Sequence, residues 1–153
     1  MSADQRLVKL GWTLPPLHPP LGRNLPFRFA GNVLYIGGSG PRHADGSFVI
    51  GKVGRDLSTE QAYEAARLTG LNLLAKLKEA LTSLDRVEYA LNLVGLVNAV
   101  DGYLEHPLVV NGVTDVLIDV FGDAGLSTRV GYGVSGLALN MPIEVSGVFM
   151  IRS

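Results

Sequence analysis

The longest regular pattern in the chain starts at Ser58, after which Ala62, Ala65, Ala66, Leu68, Thr69, Leu73, Leu77 and Leu81 recur at helical spacing up to about Thr82. That spacing lines one face of an α-helix, and Ser58 followed by Gln61 is a capping box at its start. A second helix is predicted from Pro107 through Val109, Val113, Val116, Leu117 and Val120 to Phe121, closing at Gly122 or Gly125. Between them, Arg86 to Val100 is nearly continuous in apolar character, as in a strand buried on both faces. Earlier, Phe27 and Phe29 and then Val33 to Ile36 flank Ala30-Gly31-Asn32 as a hairpin, and Asp45-Gly46 marks a turn before a short strand through Phe48 and Ile50.

At the end of the chain, Val130, Tyr132 and Val134 form one strand pattern, and Ile143, Val145, Val148, Phe149 and Ile151 form another. Gly136 and Asn140-Met141-Pro142 lie between them, so an antiparallel hairpin is expected. The order of strands, helix, strand, helix and hairpin predicts one α+β domain over residues 1–153, a single mixed sheet with two helices on one face. The strand from Val87 to Val97 and the final hairpin are apolar in both parities. The face left without helices is therefore expected to be buried against copies of the same chain in a closed oligomer. Residues 1–26 read as an extended arm, because Pro15, Pro16, Pro19, Pro20 and Pro26 disfavour helix and central strand. Such an arm is laid over the domain or a neighbour more readily than it serves as bait for a proline-binding module.

Composition narrows the function. A chain that is 47% hydrophobic and 18% charged has material for a core. A net charge of -1 and a pI near 6.3 offer no footprint for a phosphate backbone, so no nucleic-acid partner is expected. Without cysteine there is no thiolate nucleophile, disulfide or cysteine-bound zinc, and His18, His43 and His106 show no ligand spacing, so no metal is expected. No apolar run is long enough to span a bilayer and the first residues lack a signal-peptide core, which predicts no membrane association and a cytoplasmic protein. Gly37-Gly38-Ser39-Gly40-Pro41 has no Lys-Ser or Lys-Thr after it and is not a phosphate loop; its glycines suit close approach to a strand end. Asp115 and Asp119 share a helix face and read as a solvated surface.

Two charges stand out because they fall in the apolar final strands: Arg129 and Glu144. Removing an ion from water costs several kcal/mol, on the order of a whole domain's margin, unless it is paired or employed. Either the two pair across the hairpin or sit on a wet face, or they belong to a pocket in which a guanidinium fork holds a carboxylate and a glutamate handles protons.

From Gly31 to Arg152 the order of elements resembles the RidA or YjgF family of reactive-intermediate deaminases, also called UK or L-PSP proteins. The resemblance is carried by Gly31-Asn32 leading to Ile36-Gly37-Gly38, by Ser127-Thr128-Arg129, and by Pro142-Ile143-Glu144-Val145. It implies a chorismate-mutase-like fold, a homotrimer formed through the uncovered sheet face, and a pocket at the subunit interface. In that family an arginine holds a substrate carboxylate, and a glutamate fifteen residues later positions or activates water; Arg129 and Glu144 match both residues and the interval. The chain departs from the family at Gly131, where a cysteine is common, at Gly37, where a serine is common, and at Asn24, where a gap-free count meets a tyrosine. These positions mark a divergent subgroup with a repacked substrate-binding pocket.

The implied reaction is hydrolysis of 2-imino or enamine acids to 2-keto acids and ammonia, with Arg129 and Glu144 as catalytic residues and Arg129, Gly131, Gly37 and Asn24 around the substrate. A planar carboxylate suits the arginine fork, water must lose a proton to a base, and an iminium needs neither a covalent nucleophile nor a cofactor. The alternative is a non-catalytic protein that binds or senses a small keto or amino acid. Endoribonuclease activity, attributed to some family members, conflicts with the acidic pI and the lack of a catalytic histidine.

Overall fold

The computed structural model describes residues 1–153. Helix α1 covers Ala3–Leu10. The strands are β1 (Phe27–Ala30), β2 (Val33–Ser39), β3 (Val87–Asn98), β4 (Thr128–Val134) and β5 (Ile143–Ile151); the two long helices are α2 (Thr59–Leu81) and α3 (His106–Phe121). Ser58 caps α2 as its sequence predicts, accepting from the Gln61 amide at 3.1 Å while the Gln61 side chain accepts from the Ser58 amide at 2.9 Å. Pro107 opens the first turn of α3, and Gly122 ends it with a left-handed φ of 64°.

The expectation of an extended arm from residue 1 fails over residues 3–10, which are helical. Ser2 and Gln5 form the same capping box as Ser58 and Gln61, and Gly11 closes the turn at φ 69°. Eight residues make a marginal helix alone. α1 is held by Asp4, whose carboxylate accepts from Lys78 at 2.8 Å, Ser83 Oγ at 2.6 Å and the Leu84 amide at 3.3 Å. The proline-rich part beyond it forms neither helix nor strand and bends at residues 21–23. The short strand expected near Phe48 is reduced to a single bridge between Arg42 and Phe48, since the Asp45-Gly46 turn leaves too few residues to continue a ladder.

The five strands form one mixed sheet in the order β1-β2-β5-β3-β4. Here the final hairpin is corrected. β4 runs parallel to β3 on its outer side, and β5 runs antiparallel to β3 on its inner side, so β3 separates them. The unit β3-α3-β4 is a crossover, which places the returning strand parallel. The link between β4 and β5 then carries the chain past β3. It is pinned by Asn98, fully buried, whose amide donates to Asn140 Oδ1 and the Met141 carbonyl, each at 3.0 Å, while its oxygen accepts from Lys52 at 2.8 Å.

α2 and α3 cover one face of the sheet. Leu34, Leu93, Val97, Ile143, Val145 and Phe149 are fully buried against Leu73, Leu77, Val113 and Leu117. Burying each such side chain contributes about 1.5–3 kcal/mol relative to leaving it in water. Gly112 permits close helix packing, because a β-carbon there would strike the Tyr63 carbonyl and Ala66 of α2. Asp115 and Asp119 bridge the helices: Tyr63 donates to Asp115 at 2.5 Å, and Arg67 pairs with Asp119 at 3.2 Å. Within the chain β3 is buried on this face alone, since Val94 and Leu96 of the other parity stay half-buried.

Candidate functional site

Register assigns the two charges of the final strands to different faces. Arg129 lies opposite Leu93, in the parity of Gly95 and Gly131, whose missing β-carbons both leave room for Val110 of α3. Its side chain therefore runs along the helix-covered side of the edge strand. Nη1 donates to Thr114 at 2.9 Å and Nη2 to the Pro107 carbonyl at 3.1 Å. Both partners are neutral, so the guanidinium charge is steered without being cancelled.

Glu144 lies opposite Leu96, which in turn faces Tyr132, in the strand parity of the side without helices, at the end of β2 where residues of α2 line the same cavity. The pairing of Arg129 with Glu144 is thus excluded within one chain: β3 stands between them and they occupy opposite faces. Glu144 is half-buried beside the end of β2, where Gly38 makes its position possible, because a β-carbon on Gly38 would collide with the carboxylate. Gly37 admits the Leu25–Pro26 backbone, the kind of approach expected of these glycines, while Gly38 admits the Glu144 side chain.

Around Glu144 the end of β2, the proline-rich segment and α2 enclose a cavity of about 400 Å³. It exists because β1 stops at Phe27, opposite Ile36, while β2 continues to Ser39. The Gly37 amide still donates to the Pro26 carbonyl at 2.9 Å, which leads the arm over the gap. Asn24, Gly38, Ser39, Met141 and Glu144 are among the lining residues. Of the predicted site residues, Glu144 and Asn24 come together here; Gly37 lies just outside the lining, against the Leu25 and Pro26 carbonyls, and Arg129 and Gly131 sit at the other side of β3.

Residues the sequence pattern did not single out complete this cavity. Lys76 reaches from α2 to the Gly38 carbonyl at 2.8 Å and the Gly37 carbonyl at 3.4 Å. Burial pushes its pKa down, against the upward pull of the Glu144 charge. Asn72, one turn earlier, donates to the Arg42 carbonyl at 2.9 Å, and the Arg42 guanidinium lies 4.8 Å from the Phe48 ring centre. Lys76 interrupts the otherwise apolar stripe of Leu73, Leu77 and Ala80, and that interruption was its signal.

The chain's residues 4–149 match the family described as "YjgF/chorismate_mutase-like, putative endoribonuclease". The protein belongs to this family. It is 33% identical to Atu1372 from Agrobacterium tumefaciens, a crystal structure of unknown function, over 98% of this chain and 94% of that one, with a TM-score of 0.88. A crystal structure of "a putative endoribonuclease" from Shewanella oneidensis MR-1 is 30% identical, covers 99% of this chain and 100% of its own, and has a TM-score of 0.93. Protein TCP17 of Trypanosoma cruzi is 29% identical over 148 residues, 96% of this chain and 92% of its own length. The expected α+β fold and family are thereby established. No helix is long and apolar enough to cross a membrane.

Proposed function

We propose that the protein hydrolyses small 2-imino or enamine acids to 2-keto acids and ammonia, in a site shared between copies of the chain. The observation that carries the reading is the separation of Arg129 from Glu144, each without an ionic partner in its own chain. A second copy packed on the uncovered face brings one chain's arginine edge to the other's glutamate cavity, and a homotrimer closes that arrangement. The substrate carboxylate takes the free side of the Arg129 fork. Glu144 accepts a proton from water as the water oxygen attacks C2 of the iminium and returns it to nitrogen; as the C–N bond of the carbinolamine breaks, the hydroxyl proton passes through Glu144 to the departing ammonia and the carbonyl forms. The endoribonuclease description of the relatives is less well supported here, because an RNA backbone calls for a basic surface and the chain's net charge is -1.

Glu144→Gln keeps volume and hydrogen bonding but accepts no proton, and is expected to slow ammonia release from an imine formed in situ by roughly 10²–10⁴. Unfolding Arg129→Lys and Glu144→Gln chains together and refolding them as a mixture then tests the sharing. Restored activity in the mixture supports a site built from two chains. A mixture no better than its parents sinks the proposal, and a normal rate for Glu144→Gln leaves binding of a small carboxylate as the better account.

A further inference from the structure

The cavity beside Glu144 holds more basic side chains than a single substrate carboxylate at Arg129 calls for. Three basic side chains line it, Lys76, Arg42 and His18, against the one acid. They are held in place by the fold. Asn72 fixes the Arg42 backbone to α2, and Phe48 supports the guanidinium from below. Arg42 uses only Nε within the chain, donating to the Gly46 carbonyl at 3.0 Å, which leaves both terminal nitrogens unspent. His18 descends from the proline-rich segment, and its Nε2 is buried with no hydrogen-bond partner. A buried polar atom left unsatisfied costs about 1–3 kcal/mol, so a group that satisfies it is favoured.

Taking Arg129 and Glu144 as the reacting end, we propose that Arg42, Lys76 and His18 form a second anion subsite, selecting imino acids that carry a distal carboxylate. This extends the proposed function and rests on it. The substrate spans from the partner copy's arginine edge, past Glu144, to the space beneath residues 16–21. A cavity of about 400 Å³ has room for a chain longer than a three-carbon acid. A distal anion would also add negative charge beside the half-buried Lys76 ammonium, which within the chain has two glycine carbonyls and the pull of Glu144.

The test compares two keto acids of equal length by titration calorimetry on the assembled protein: 2-oxoglutarate, with a distal carboxylate, and 2-oxopentanoate, with a methyl group there. The wild type is expected to bind 2-oxoglutarate tighter by about tenfold or more, the scale of one charge-assisted contact. Arg42→Gln and His18→Ala are each expected to reduce that preference severalfold while leaving 2-oxopentanoate affinity unchanged, which also reports that the site is folded. Equal affinities in the wild type, or a preference that survives both variants, overturn the subsite. Arg129→Lys separates the two claims, since it weakens both ligands alike if the reacting end is where we place it. Insensitivity to Arg129, with an intact preference that depends on Arg42, removes the hydrolase reading and leaves the distal-anion site standing.

Discussion

The two faces of the sheet are made from the same strands and meet different surroundings. On one, Leu34, Leu93, Val145 and Phe149 are sealed beneath α2 and α3. On the other, Tyr35, Val130 and Tyr132 are about half exposed, at 52%, 53% and 48%, although their neighbours are equally apolar in type. Since β-strand side chains alternate, one residue's shift in register exchanges a sealed position for an open one. The same alternation decides what a charge can do. Arg129 shares its face with the helices and is steered by α3, whereas Glu144 takes the other face and opens into a cavity.

The strongest way to break the contrast is Phe149→Ala, on the sealed face, which is expected to lower stability by about 3–5 kcal/mol in urea denaturation. Met150→Ala, one residue along and half-buried, should cost about 1 kcal/mol or less in a monomer. Similar losses would mean that the two faces do not differ as described. The open face is attacked next by Val130→Glu combined with Tyr132→Glu. Circular dichroism should stay unchanged while sedimentation of the proposed homotrimer shifts to monomer at micromolar concentration; unchanged sedimentation would place the interface elsewhere.

Arg129→Lys keeps the charge but loses the fork, and is expected to weaken 2-keto acid binding by about 1–3 kcal/mol. Unchanged affinity would confine Arg129 to bracing α3 through Thr114. The smallest effect concerns α1, which belongs to neither face. Burial opposes the ionised Asp4 carboxylate, but hydrogen bonds from Lys78, Ser83 and the Leu84 amide outweigh it and hold its pKa below the usual carboxylate range. Asp4→Asn is therefore expected to lose on the order of 1 kcal/mol at neutral pH. Because the folded pKa is the lower one, that contribution is complete above the ordinary carboxylate value and disappears as pH falls through the depressed one. Wild type and variant should converge in acid; a constant gap would remove Asp4 ionisation from the account.

Much of this was legible locally. Ser58 with Gln61, the three-and-four spacing of α2 and Pro107 at the start of α3 specify structure through neighbours in the chain, and the helices lie where those residues put them. The same capping grammar stood at Ser2 and Gln5, where the prolines that follow drew the whole segment into one extended reading. Arg129 and Glu144 were visible as charges in apolar strands, and Gly37-Gly38 as a place of close approach. Lys76 was less visible, since a lysine in a long helix ordinarily projects into water.

Strand partners were not decided locally. Gly136 and Asn140-Met141-Pro142 are as compatible with a link that passes β3 as with a tight hairpin, because turn chemistry fixes how a chain bends and leaves open which strand it joins. Only the packing of α3 on the sheet, which puts β4 parallel outside β3, left the inner position to β5. With that order came the opposite faces of Arg129 and Glu144, and the gap beyond Phe27 that the proline-rich segment covers. Helix type and position were written in the sequence, since periodicity and caps act over three or four residues. The site was decided by tertiary structure, since its cavity is assembled from segments more than a hundred residues apart, from Asn24 to Glu144.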